Sequence, residues 1–220
     1  MATDRLSIYN GALQICKQRP VASLTVNEES RRELDVVWDG GGVEYCLEQG
    51  QWLFARRSSK FTYDTGITPS FGYAHGFTKP DDFVNLAALC SDEFFNTPLN
   101  RFSDEAGVWY ADLEEIYVKY TSKDPNYGLN FAKWSQAFTR YVEAYFASRV
   151  CGKINSSATT LEEIIKPKSG ILAQALLVAQ NNNAQGEPAR FLPQGGWTKA
   201  RMRQSIGNWA DGGNRNRLIG

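Results

Sequence analysis

One histidine, four cysteines, three of the adjacent acid pairs and one run of three glycines are the residues of this 220-residue chain whose types and setting suit catalysis. His75 is the lone imidazole, so a His-based metal cluster is excluded, and Tyr73-Ala74-His75-Gly76-Phe77 reads as a strand in which the ring is half buried. The pairs Asp81-Asp82, Asp104-Glu105 and Glu114-Glu115 offer general acid–base chemistry only if two carboxyls face one substrate. Sequence neighbours on a strand point to opposite faces, and no proton-transfer partner stands nearby, so all three pairs read as solvated turns. Gly40-Gly41-Gly42 is not a phosphate loop, because no Lys-Ser or Lys-Thr follows it and no clear strand precedes it. Cys16, Cys46, Cys90 and Cys151 lie tens of residues apart with no Cys-x-x-Cys spacing and no local histidine. Zinc, a disulfide framework and a cysteine nucleophile are thereby disfavoured, and the four read as small buried hydrophobes. The expectation is a protein without enzymatic activity, cofactor or metal.

The chemistry that does stand out is that of recognition. The net charge is zero, yet from residue 186 onward six cationic side chains face two acids, so that segment carries +4 and residues 1–185 carry −4. Its last part, GGWTKARMRQSIGNWADGGNRNRLIG, is too rich in Gly and Asn to build a core of its own. Phe191, Trp197 and Trp209 punctuate this segment, with Arg201, Arg203, Arg215 and Arg217 between and beyond them. Trp fills pockets and Arg makes forked hydrogen bonds to carboxylates, so these seven residues are the candidate partner-binding set. Each Trp laid in a partner's pocket offsets part of the ordering entropy of about 1–2 kcal/mol per residue. The contacts that order the segment are expected outside its own subunit. A basic tail seeks an acidic protein groove or nucleic acid.

The elements that must carry this tail follow from hydrophobic spacing. Thr3 is placed to cap a first helix, on which Leu6, Tyr9, Leu13 and Cys16 recur at steps of three and four, ending near Gln18 before Pro20. A second begins after Asn27 and carries Leu34, Val37, Trp38, Tyr45 and Trp52 on roughly one face. Three adjacent glycines cost that helix about 3 kcal/mol relative to alanines, and it is read as weakened but continuous. From Lys60 to Thr121 the pattern turns to short aromatic and β-branched runs bounded by Gly, Pro, Asn and Asp: Phe61–Tyr63, Gly72–Phe77, Phe83–Leu86, Val108–Tyr110 and Ile116–Tyr120. Helical spacing returns with the stripe Trp134, Phe138, Tyr141, Val142, Tyr145 and Phe146, ending near Cys151-Gly152. No Lys or Arg is interleaved as a base-stacking groove requires, so the stripe reads as core. A fourth helix starts near Thr160, passes Pro167 and runs out at Gln180–Asn183.

The fold class is therefore α+β and mainly α: a helical bundle (1–58 and 126–183), a small antiparallel β insertion (59–125) and an extended basic C-terminal arm (184–220). With 42% hydrophobic and 22% charged residues the chain reads as an ordinary globular protein. Neither a run of about 18 apolar residues nor a signal-peptide pattern at MATDRLSIYN is seen, which leads to the expectation of a cytosolic origin and no membrane span.

The order of these segments and several strings resemble the head-to-tail adaptor of short-tailed bacteriophages, the tail tubular protein A type. The strings are Ile8-Tyr9-Asn10-Gly11-Ala12-Leu13 with Arg19-Pro20-Val21-Ala22-Ser23-Leu24, then Trp38-Asp39 and Gln51-Trp52-Leu53-Phe54-Ala55-Arg56-Arg57. Gly72-Tyr73-Ala74 through Phe77, Pro80, Asp82 and Phe83-Val84 follow, and then Phe131, Trp134, Phe138 and Ala144. The likeness covers residues 5–150 by these strings and the remainder by architecture. It departs at Gly40–Gly42, where the family has a good helix former, and at Lys79-Pro80, where an apolar residue precedes the proline; the second departure touches only a turn. The resemblance implies a virion protein made in the host cytoplasm. Such proteins form a ring, a dodecamer matching the portal's symmetry, between the portal protein and the tail nozzle, a tail tubular B-like protein. Double-stranded DNA passes through the lumen without sequence-specific binding, and the C-terminal segments grip the portal. Two alternatives remain: a nucleic-acid-binding protein that uses the basic tail, and a small hydrolase with carboxylates drawn from Asp81, Asp82, Asp104 and Glu105.

Overall fold

The computed structural model describes residues 4–155 and 157–187. Residues 1–186 form one compact unit, and a second unit begins at Glu187. Six helices and two small antiparallel sheets make up the described part: α1 (Arg5–Ile15), α2 (Glu29–Asp39), α3 (Gly42–Glu48), β1 (Arg56–Thr62), β2 (His75–Thr78), β3 (Phe83–Cys90), β4 (Ser103–Glu105), β5 (Val108–Ala111), β6 (Glu115–Ser122), α4 (Gln136–Ile154), α5 (Ala158–Ile165) and α6 (Ile171–Gln185). The fold is α+β and mainly α, with the strands inserted between α3 and α4.

The centre of the bundle is α4, whose sequence is apolar on most of its circumference: Phe138, Tyr141, Val142, Ala144, Phe146, Ala147, Val150 and Cys151 are all buried. Such a helix leaves a polar strip, Gln136, Arg140, Arg149 and Lys153, to water, and α1, α2, α3, α5 and α6 all pack on it. Trp52 is sealed against Phe138, with ring centroids 4.7 Å apart, and donates its Nε1–H to the carbonyls of Cys46 and Leu47. The aromatic stripe is thus core.

Five helix boundaries depart from the sequence reading. Asp4, not Thr3, caps α1, accepting from the Ser7 amide while the Ser7 hydroxyl accepts from the Asp4 amide, a reciprocal pairing that needs no Glu; Thr3 lies outside the described residues. That helix ends at Ile15, before Gln18, because Lys17 turns left-handed (φ 58°) and lets the Gln18 amide reach the Leu13 carbonyl. The second helix is not continuous: it stops at Asp39, and α3 starts at Gly42 after Gly41 at φ 80°. Packing does not override the glycines here, since a left-handed residue breaks any right-handed ladder. The fourth helix is two, because Pro167 holds Lys166 in an extended conformation (ψ 125°) and ends α5 before it. Beyond this break, α6 runs past the expected stop through Asn183 to Gln185. The Asn183 side chain accepts from the Leu53 amide and donates to the Gln51 carbonyl, so the residue that ought to frustrate the helix instead ties it to the chain before β1.

The insertion is two three-stranded sheets, β1-β6-β3 and β2-β5-β4. Every pairing is antiparallel, from Arg56 opposite Thr121 to Thr62 opposite Glu115 along β1 and β6. The two sheets share one apolar cluster: Phe77, Trp109 and Ala111 from one and Leu89, Ile116, Val118 and Tyr120 from the other. Strand β4, Ser103–Glu105, escaped the sequence reading because three polar residues carry no apolar alternation. It pairs with β5 across a turn at Ala106-Gly107, both with positive φ.

Candidate functional site

Two of the acid pairs are not the solvated turns their spacing suggested. Asp82 is largely buried, accepting from Arg57 Nη1 at 2.9 Å, from the Tyr120 hydroxyl at 3.2 Å and, at short range, from the Ser122 hydroxyl. Burial alone would push its carboxyl up, but the Ser122, Arg57 and Tyr120 donors outweigh that and hold it below the ordinary aspartate range. Tyr120 is pushed the other way, up to about 12, by burial and by the Asp82 charge. Asp82 is thereby a clasp between β1, the turn before β3 and β6, at the end of the insertion joined to the bundle. Asp104 accepts from Lys79 Nζ at 2.6 Å and from Trp109 Nε1 at 3.2 Å. Lys79 in turn lies over the Phe83 and Trp109 rings, 4.7 and 5.4 Å from their centroids. The Lys79 departure therefore reaches beyond its turn: the four-carbon stem covers the aromatic cluster as an apolar residue would, and Asp104 meets its ammonium. Glu115 pairs with Lys60 at 2.7 Å. Each of these carboxylates is engaged by a structural cation: Asp82 by Arg57, Asp104 by Lys79 and Glu115 by Lys60.

His75 sits as expected, half-buried on β2, its ring 4.2 Å from that of Tyr63. All four cysteines are buried and unbridged. Burial and the adjacent Cys151 push the Cys16 thiol up to about 12, and burial raises Cys46 as well. Among the described residues no group of three or more His, Cys, Asp or Glu is arranged to hold a metal ion. Among them, too, no helix is long and apolar enough to cross a membrane.

The features that remain are surfaces. Register places the last residue of β1, Thr62, opposite Glu115 and the last residue of β3, Cys90, opposite Tyr117. The loops that follow, residues 63–74 and 91–102, thus leave the same end of the sheet, opposite the end where Arg56 and Ser122 connect to the helices. Each loop exposes one phenylalanine, Phe71 at 88% and Phe94 at 74%. Arg101 bridges the two loops, donating to the Gly72 carbonyl at 3.3 Å and lying 5.8 Å from the Tyr73 ring centroid. Beside Phe71 a shallow cleft is lined by Pro69, Tyr73, Glu105 and Tyr110. On the bundle, Val36 of α2 is 63% exposed, and Ile165, Leu177 and Val178 of α5 and α6 are more than half or half exposed. The helix α2 packs on α1, α3 and α4, whereas α6 packs on α4 and α5, so Val36 and the α5–α6 residues belong to different helix pairs. Single exposed apolar residues are ordinary; paired tips and clustered helix faces mark contact sites. Sequence reasoning missed Phe71 and Phe94, though a bulky aromatic between Pro69-Ser70 and Gly72, outside any alternating run, is a visible signal.

The seven residues read from the sequence as partner anchors, Phe191, Trp197, Arg201, Arg203, Trp209, Arg215 and Arg217, lie outside the described residues. No family model matches the chain, and a search of curated proteins gives no relative.

Proposed function

We propose that the chain is a non-enzymatic virion structural protein: a head-to-tail adaptor that assembles as a ring, a dodecamer, between the portal protein and the tail nozzle. The observation that carries this reading is the distribution of exposed apolar side chains. One set stands at the far end of the β insertion, at Phe71 and Phe94, and the other on the bundle, at Val36 and at Ile165, Leu177 and Val178. A ring closes through a heterologous interface, which needs two different surfaces on each subunit; the α5–α6 face with Ile165, Leu177 and Val178 suits one, and the α2 face, where Val36 is exposed, is available for the other. The tip of the insertion is then left for the next tail component. The −4 charge of residues 1–185 also suits a channel wall, because an acidic surface lets DNA slide past without trapping it. Residues 186–220, with +4, supply the arm that docks on the portal or a neighbouring subunit.

Truncation after Gly186 tests the arm: loss of portal capture in a pull-down supports this reading, and undiminished capture refutes it. The same basic segment favours one alternative, binding to nucleic acid. DNA binding by the isolated chain with a steep salt dependence, its slope tracking the number of phosphates contacted, is the result that would replace the adaptor reading.

A further inference from the structure

A solvent-open cavity of about 410 Å³ lies between α1, α4 and α6, lined by Gly11, Gln14, Ile15, Arg140, Glu143, Ile171 and Ala175. Its wall is built around one carboxylate. A Cβ added to Gly11 would collide with the Glu143 side chain and stand 2.7 Å from its Cγ, so a glycine in the middle of α1 is what makes room for that side chain. The fold accepts a poor helix former at this position in order to seat an acid in a half-apolar recess. Burial holds the Glu143 carboxyl above the ordinary glutamate range, with Arg140 pulling weakly in the other direction. Arg140 is exposed one turn earlier on the same helix, an order that pairs poorly, and no ion pair or hydrogen bond to Glu143 is formed among the described residues. Three other bundle carboxylates that border its helices are partnered: Asp35 by Arg5, Arg31 and Tyr9, Glu33 by Lys153, and Glu163 by Lys17.

An acid without a hydrogen bond or ion pair among the described residues, in a recess where Ile15, Ile171 and Ala175 supply apolar surface and Gln14 and Arg140 the polar rim, is complemented by an apolar stem that ends in a cation. We infer that this cavity receives an arginine side chain supplied by residues 197–217 of a second copy of the chain. Ile15, Ile171 and Ala175 would flank the methylene stem, and Glu143 would take the guanidinium by a forked pair of hydrogen bonds. Arginine fits better than lysine because its weakly hydrated guanidinium loses less on leaving water. From residue 188 onward the chain holds five arginines and one lysine, against a single acid, Asp211. The charge of that segment complements the −4 of residues 1–185. The choice of a second copy rests on the adaptor reading, in which the arm joins subunits.

The test is fluorescence anisotropy of a labelled synthetic peptide of residues 197–217 titrated against the full-length chain, against its Glu143→Gln variant and against the chain ended after Gly186. Saturable binding to the full-length chain, weakened about tenfold or more by Glu143→Gln, is the expected result. A second peptide with citrulline at 201, 203, 215 and 217 leaves the protein untouched and loses binding to the same extent. Equal affinity for Glu143→Gln, an unaffected citrulline peptide or the absence of binding overturns the inference. Binding to the truncated chain but not to full-length chain that runs as a monomer assigns the cavity to the chain's own segment and overturns the second-copy assignment. If the peptide fails while the full-length chain still joins portal rings, this inference falls and the adaptor reading stands; failure of both removes both.

Discussion

Gly11 of α1 and Glu143 of α4 are complementary across the helix interface, the missing side chain of one being the space occupied by the other. Alanine is the better helix former by about 0.5–1 kcal/mol, yet in this position its methyl drives the carboxylate out of its recess. Gly11→Ala is therefore expected to gain less than that propensity difference in urea unfolding while the Glu143 side chain has to shift. Glu143→Ala vacates the recess, so on that background Gly11→Ala is expected to stabilise by the full amount of about 0.5–1 kcal/mol. A double-mutant coupling near zero would show that the two positions are independent.

The same relationship sets the sign for the charge. A carboxyl raised above its unfolded value favours folding most when protonated and loses that contribution as pH rises toward its folded value. Glu143→Gln is thus expected to raise the Tm of the isolated chain at pH 7. Partial exposure of the group limits the gain to no more than about 2–4 °C, the shift that 1 kcal/mol makes in a domain of this size. A lowered Tm would mean that the carboxylate has a partner in the isolated chain.

Asp82 has the opposite sign. Its carboxyl is held below the ordinary range, so its contribution is present above about pH 4 and is lost as pH falls through the folded value. Asp82→Ala leaves Arg57, Tyr120 and Ser122 without their acceptor and is expected to cost about 2–4 kcal/mol at pH 7. That difference from the parent shrinks as the pH of the denaturation is lowered below 4. An unchanged difference at low pH would show that the clasp does not depend on charge.

Phe71 and Phe94 contribute nothing to the apolar clusters. Replacing both with serine is expected to change stability by less than about 0.5 kcal/mol while abolishing capture of the tail nozzle protein. Retained capture would remove the tip of the insertion as the docking surface.

The buried thiols give a check on the bundle itself. With Cys16 pushed up to about 12 and all four cysteines buried, a thiol reagent at pH 8 is expected to label the native chain far more slowly than the chain unfolded in guanidinium. Fast labelling of the native chain would show that the α1–α4 packing around Cys16 opens readily.

Much of this architecture was legible from spacing. The apolar steps of α1 and α4 and the aromatic-and-turn grammar of the insertion found the right elements, because those patterns reflect which faces must leave water. The losses came where one residue's backbone conformation decided the outcome. Gly41 at φ 80° and the extended Lys166 before Pro167 each divided a helix that periodicity alone joined. Partners distant in sequence were equally invisible: Asp82 reads as a solvated acid until Arg57, Tyr120 and Ser122 are folded around it. Asn183 reads as a helix end until Gln51 and Leu53 meet its amide. Glu143 gave no signal at all, since its meaning lies in the absence of a side chain 132 positions earlier, at Gly11.

The measurement that bears most directly on the adaptor reading is electron microscopy of the full-length chain co-purified with its portal protein. The expected image is a closed ring of this chain stacked coaxially on the portal, with the β insertions pointing away from it. A portal ring bare of the chain, with the chain running as a monomer in the same preparation, would contradict it.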